Sequence, residues 1–213
     1  MARLFTSDFE SNNLATEGFV PFDSTPSIVT SIKHAGSYAL ECDPLESVRT
    51  DLSAGGVPVT YTRFWFYVHT LPDNAGDIAR QEDVDAGTAI SLRLQPDGIL
   101  FAASDFGGDI ATSSALSTGQ WYRIELLVNA TTPSSVHLEA RLDGVTFAAA
   151  NRNAGGEDPS TRYLYIGGDI TGGDWATGKV YFDDIAINDD NFPDAPSISL
   201  TPQTASVQGV RIV

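Results

Sequence analysis

The sequence has one cysteine, one methionine, two lysines and three histidines in 213 residues. Each shortage excludes something. A single thiol, Cys42, cannot close a disulfide within the chain. Free cysteine is among the most buried residue types, so a buried structural thiol is expected. His34, His69 and His137 are too far apart for zinc-ligand spacing. No apolar run approaches the ~20 residues that a membrane-spanning helix needs. The opening MARLFTSDFES lacks the basic segment and apolar stretch of a secretory signal. The glycine-rich GGEDPS and TGGD lack the Lys-Ser/Thr of a phosphate loop and read as turns.

Positive charge is the other scarce commodity. Two lysines and ten arginines face 28 acidic residues, for a net charge of −16. Such a field repels nucleic-acid phosphates and anionic lipid, so neither is an expected partner. It also argues against a polyanionic glycan, unless a local arginine cluster overrides it. Solubility, cation binding or a basic protein partner all suit it.

Short alternating runs dominate the chain, bounded by Gly, Pro, Asp and Ser. That texture predicts a β-sandwich or barrel. In YTRFWFYVHT (61–70), Phe64, Phe66 and Val68 share one face and read as core. Tyr61, Arg63, Trp65, Tyr67 and His69 share the other, an aromatic and polar face suited to a ligand. Further strands are expected at 89–94, 99–103, 121–128, 136–142, 163–167 and 179–187, with hairpin turns at Pro96-Asp97-Gly98 and Asp143-Gly144. Segments 71–88 and 104–119 read as long loops, and loops of that length are usually functional or mobile. Trp175, in GGDWATG, reads as a loop residue marking a contact surface.

The texture changes after Asn191. Residues 192–213 are proline-rich yet carry Ile198, Leu200, Val207, Val210 and Ile212, too apolar for pure solvated disorder. The chain therefore reads as a sandwich over 1–191 and an extended arm over 192–213, which folds back on its own sheet or pairs with a neighbouring chain's edge.

The order DFES, GSYALEC, YTRFWFYV, GQWYRIELLV, ARLDG, LYIGG, VYFDDIAI resembles the concanavalin A-like, laminin-G-like jelly-roll superfamily over residues 4–190. The resemblance implies an all-β fold, a two-sheet antiparallel jelly-roll sandwich with one concave and one convex sheet. In calcium-containing jelly-roll carbohydrate-binding modules, a Glu in an N-terminal "FE" and an Asp in the closing "DD" bind a structural calcium. The matching positions here are Glu10 and Asp183, with Asp184 beside it. Calcium takes 6–8 oxygen ligands, so carboxylates far apart in sequence could share one ion if the first and last strands lie side by side. Strand parity with Tyr181, Ile185 and Ile187 points Asp183 inward, although Asp184 shares parity with Val180 and Phe182.

Jelly-roll glycosidases need two carboxylates across a cleft, and the Glu-x-Asp-x-x-Glu run of one such family is missing. Glu82-Asp83-Val84-Asp85 has the wrong spacing and reads as a solvated loop or a cation loop. Jelly-roll polysaccharide lyases use Tyr, His, Arg and Gln on one sheet. Tyr61, Arg63, Tyr67 and His69 are of those types, but the lyase motifs are missing. The expectation is thus a non-enzymatic recognition protein, a virion decoration or tail surface protein. It would act through homo-oligomeric or other protein contacts of the arm. A carbohydrate-binding module, extracellular, is the alternative, and a polysaccharide lyase or glycoside hydrolase the second.

Overall fold

The structure, a computed structural model, describes residues 2–170 and 175–193. Its regular structure among the described residues is fifteen strands and one short 3-10 turn: β1 Arg3–Ser7, β2 Val20–Pro21, β3 Ser27–Val29, β4 Ala39–Cys42, β5 Ser47–Asp51, β6 Val59–Thr70, β7 Gly76–Asp83, β8 Thr88–Leu94, β9 Ile99–Ser104, β10 Gly108–Ala115, β11 Trp121–Asn129, β12 Val136–Leu142, β13 Val145–Arg152, β14 Thr161–Gly167 and β15 Lys179–Asn188. The first sheet runs β13-β12-β11-β6-β15-β4-β3, with β1 also on β15. The second runs β10-β9-β8-β7-β14-β5-β2. All strand pairings within the two sheets are antiparallel, which completes the expected two-sheet jelly-roll sandwich.

Alternation positions the core. Phe64, Phe66 and Val68 on β6, Ile124, Leu126 and Val128 on β11, and Val180 and Phe182 on β15 are fully buried. Facing them from the second sheet are Ile90, Leu92 and Leu94 on β8, Leu100 on β9, and Leu164 and Ile166 on β14. Each such side chain removed from water contributes roughly 1.5–3 kcal/mol. Cys42 is buried among them, as expected of a structural thiol. At the Asp143-Gly144 turn both residues adopt positive φ (51° and 82°), the conformation of a tight two-residue hairpin.

Two polar bridges cross the apolar layer. Gln81 on β7 donates its Nε2 to Thr62 Oγ1 on β6 at 2.6 Å, and Thr60 meets Thr161 of β14 at 3.2 Å. Gln81 and Thr62 are both completely buried. The Gln81 Oε1 has no partner among the described residues.

Three expectations need correction. Segments 71–88 and 104–119 are not long loops, because each contains an eight-residue strand, β7 and β10. Trp175 is buried, at 3% exposure, with its backbone N–H on Asp169 Oδ2, so it is no contact surface. Asp183 does not point into the core. It lies opposite Trp65, as Tyr181 lies opposite Tyr67, on the outer face of the first sheet. A bulge follows, with Asp184 at φ 49°, and shifts the register between Asp183 and Ala186. Before the bulge the even positions Val180 and Phe182 face in, and after it Ile185 and Ile187 do. The bulge also divides the neighbours of β15: residues 180–182 pair with β4, residues 185–188 with β1.

Candidate functional site

The outer face of the second sheet gathers four of the chain's ten arginines, Arg49, Arg80, Arg93 and Arg162. On β5, β14 and β7 the inward residues are apolar or bonded across the core, and their alternates point outward. Tyr165 lies directly opposite Arg49 on one side and Arg80 on the other, so one transverse row reads Arg49–Tyr165–Arg80. In the next row Tyr163 sits between Asp51 and Glu82. Arg93 on β8 extends the face and pairs with Asp77 at 3.2 Å. Edge strand β2 brings Phe22 edge-on to Tyr165, with ring centroids 4.9 Å apart.

The Tyr165 hydroxyl is the hub. It donates to Glu82 Oε1 at 3.2 Å and accepts from Arg49 Nη1 at 3.5 Å. Arg80 lies over the Tyr165 ring at 4.5 Å and pairs with Glu82 at 3.1 Å. Burial pushes the Tyr165 hydroxyl above its ordinary value, the Arg49 hydrogen bond opposing and Glu82 adding, so the group stays protonated. Asp77 is likewise pushed up by burial, which Arg93 offsets only in part.

Arg49 differs from its neighbours. Arg80, Arg93 and Arg162 each have a carboxylate within ion-pair distance: Glu82, Asp77 and Asp51. Among the described residues Arg49 has none. Its guanidinium contacts the Tyr165 hydroxyl, the Tyr163 ring at 4.9 Å and the Phe22 ring at 5.7 Å. A partly exposed, unneutralised guanidinium beside a protonated phenol and a carboxylate can hold an anionic group and move a proton next to it.

The residues singled out from the sequence lie on the opposite side of the sandwich, and only some remain open. Tyr61, Arg63, Trp65, Tyr67 and His69 do share the outer face of β6. Phe192 packs edge-on against Tyr61 at 5.1 Å and beneath Arg141 at 4.1 Å, and Pro193 O accepts from Arg63 Nη1 at 3.4 Å. Arg63 is 3% exposed. His34 stacks on Trp65, with centroids 3.8 Å apart, and its Nδ1 meets Asp184 Oδ2 at 2.8 Å. Tyr67 and His69 stay accessible. Ile198, Leu200, Val207, Val210 and Ile212, the expected partner-binding arm, lie outside the described residues.

Glu10 and Asp183 converge on one loop, residues 34–38. Asp183 Oδ2 accepts from His34 N and Ala35 N at 2.9 and 3.2 Å, and its Oδ1 accepts from Asp184 N at 2.8 Å. Glu10 Oε1 accepts from Ser37 N and Tyr38 N at 2.7 and 3.0 Å. Burial, then the neighbouring Asp184, pushes the Asp183 carboxyl up to about 7. Among the described residues no three acidic, histidine or cysteine side chains converge closely enough to hold an ion alone. The Asp183 and Glu10 carboxylates, expected to share a calcium ion, are instead engaged by backbone amides at the two ends of this loop.

No protein-family model matches the sequence, and no curated protein matches it significantly. Solved structures do match the fold. The cellulose-induced protein Cip1 superposes with a TM-score of 0.66 at 18% identity, covering 90% of this chain and 100% of that one. An endo-β-1,4-glucuronan lyase from the fungus Trichoderma reesei gives 0.65 at 16%, covering 88% and 95%. A carbohydrate esterase from the Shiga toxin-encoding bacteriophage phi24B gives 0.58 at 12%, covering 87% and 97%. The chain thus has the concanavalin A-like jelly-roll fold. These likenesses correct the expectation that it is not an enzyme. Two of the three scaffolds carry the names of catalysts, so a two-sheet sandwich without a glycosidase carboxylate run is no ground for excluding catalysis.

Arg49, Arg80, Tyr163 and Tyr165 were not among the expected site residues, and Glu82, expected in a solvated or cation loop, lies on β7. One signal was available: in YLYIG the two tyrosines alternate with Leu164 and Ile166, so both had to face outward from a strand with an apolar inner side.

Proposed function

We propose that this protein is a carbohydrate-active enzyme of the polysaccharide lyase type, with the outer face of the second sheet as its site and a uronate-containing polysaccharide as its substrate. The observation that carries this reading is Arg49, a guanidinium without a carboxylate partner among the described residues, next to the Tyr165–Glu82 hydrogen bond. It supplies the local override of a −16 field that an acidic glycan requires. The glucuronan lyase likeness supports the substrate class by scaffold only.

In β-elimination the sugar carboxylate binds Arg49, which neutralises it and acidifies the adjacent C5 hydrogen. The Glu82 carboxylate takes that proton. The C5 electron pair forms the C4=C5 double bond as the C4–O glycosidic bond breaks. The Tyr165 hydroxyl gives its proton to the leaving oxygen, and Glu82 returns a proton to the Tyr165 oxygen across their 3.2 Å hydrogen bond. Tyr165 is only 2% exposed beneath Phe22, so Phe22 must turn aside for the substrate to reach it. Phe22 is 39% exposed just beyond the two-residue edge strand β2, which makes that rotation inexpensive.

The test is absorbance of the unsaturated uronate product with polyglucuronate and alginate. Wild type should release product; Arg49→Ala and Tyr165→Phe should not. Arg49-dependent binding without product would reduce the reading to a binding module, and no binding of any uronate polymer would end it. The virion decoration role expected from sequence rests on no observation of this fold.

A further inference from the structure

We infer a second carbohydrate-binding surface on the outer face of the first sheet, built to take a neutral polysaccharide chain. It does not depend on the lyase reading. One transverse row there crosses four strands in register: Trp121 on β11, Tyr67 on β6, Tyr181 on β15 and Glu41 on β4. Tyr67 lies 5.4 Å from Trp121 and 5.8 Å from Tyr181, centroid to centroid. Such spacing follows the strand separation of about 4.8 Å, of the same order as one hexose along an extended chain. Along β6, the Tyr67 and His69 rings are within 20° of parallel, with centroids 6.5 Å apart. His69 is exposed, and Tyr67 and Trp121 are half-buried, so this end of the face offers ring surface to solvent. The near-parallel Tyr67 and His69 rings, beside hydrogen-bonding groups, suit a sugar, which has an apolar ring face and a polar rim.

Polar groups stand beside the rings. The Tyr181 hydroxyl donates to Glu41 Oε2, and Lys179 pairs with Glu41 and Asp43 at 3.0 and 3.2 Å. Burial raises the Glu41 carboxyl, but hydrogen bonds from Tyr181 and Lys179 outweigh it, so the group stays ionised and accepts. Two carboxylates against one ammonium leave no positive surplus to hold an acidic polymer, in contrast with the Arg49 face. Lys and Glu within a patch are also what protein interface cores are depleted in. These two facts together favour a neutral glycan over an acidic one or a second protein.

The experiment is affinity electrophoresis of the whole chain through gels containing hydroxyethylcellulose or barley β-glucan, with polyglucuronate as a third gel. Wild type should be retarded by at least one neutral polymer. Tyr67→Ala and the exposed His69→Ala should each weaken this about tenfold, as expected for loss of one stacked ring. Arg49→Ala should leave the neutral-gel retardation unchanged while abolishing it in polyglucuronate. Far-ultraviolet circular dichroism separates misfolding from lost binding, and His69→Ala serves if Tyr67→Ala misfolds. No retardation by either neutral polymer, retardation indifferent to both ring deletions, or its loss in Arg49→Ala would each overturn the inference. Failure in polyglucuronate alone would count against the Arg49 site and not against this one.

Discussion

Replacing Thr62 by valine tests what holds the two sheets in register across the core. The change keeps volume and branching and removes one hydroxyl. In the folded protein that hydroxyl accepts from Gln81 Nε2 at 2.6 Å, with both residues fully buried. Gln81 Oε1 already lacks a partner among the described residues, so valine would leave a whole amide unsatisfied in an apolar layer. An orphaned buried group costs about 1–3 kcal/mol. Thr62→Val should therefore lose about 2 kcal/mol, or about 4–8 °C in Tm for a domain of this size. Gln81→Met alone leaves the Thr62 hydroxyl unpaired and should cost about 1 kcal/mol. The double variant removes every unsatisfied atom and should be as stable as wild type or more so. Urea unfolding of the four proteins gives the cycle. Additive single losses, or a Thr62→Val loss below about 0.5 kcal/mol, would refute the reasoning, because the amide would then be satisfied in some other way. The cycle also says why glutamine is kept. It sits between Arg80 and Glu82 on β7, and if it positions them, the Thr62→Val/Gln81→Met double variant retains stability but weakens uronate binding.

Other expectations follow from single contacts. Glu41 and Glu139 are both raised by burial but more strongly lowered by their hydrogen bonds, to Tyr181 and Lys179 and to Arg141 and Thr146. Folded values below the ordinary 4.5 mean stability that is full above pH 4.5 and is lost as the pH falls through the folded values. Glu41→Gln and Glu139→Gln should thus flatten the acid limb of a Tm-against-pH curve; an unchanged limb would contradict the assignment. Gly36 has φ 57°, and a Cβ there would overlap the Glu10 carboxylate. Gly36→Ala should lower Tm and loosen His34 from Trp65, read as a red shift in tryptophan fluorescence. Melting should be identical in millimolar calcium and in chelator if backbone amides alone close the 34–38 loop; a calcium-dependent rise in Tm that Glu10→Gln abolishes would mean that the carboxylates share an ion.

The legible part of the fold was the part that stabilises it by burial. Strands β6, β8, β11 and β12 alternate apolar and polar residues because one face of each meets the opposite sheet. Strand β7 escaped because Gln81 and Asp83 occupy inward positions normally apolar, while Arg80 and Glu82 point outward. Its polarity reflects a core bridge on one side and the Arg80–Glu82 ion pair on the other. The Arg49–Tyr165–Arg80 row could not be read as a motif, since its members come from three strands more than 30 residues apart and meet only through sheet order. The adjacent aspartates of β15 were readable in principle. The apolar phase changes from even positions before them to odd positions after them, which is what one extra residue in a strand produces.

The position of β15 has a consequence for how the chain is made. It lies between β6 on one side and both β4 and β1 on the other, yet it is synthesised after all of them. While a ribosome is still translating residues before Lys179, β1 has no partner and the long, aromatic β6 presents a bare edge. Native closure of this sheet thus waits for β15, and a fragment stalled before it would expose a sticky template to whatever nascent strands are nearby.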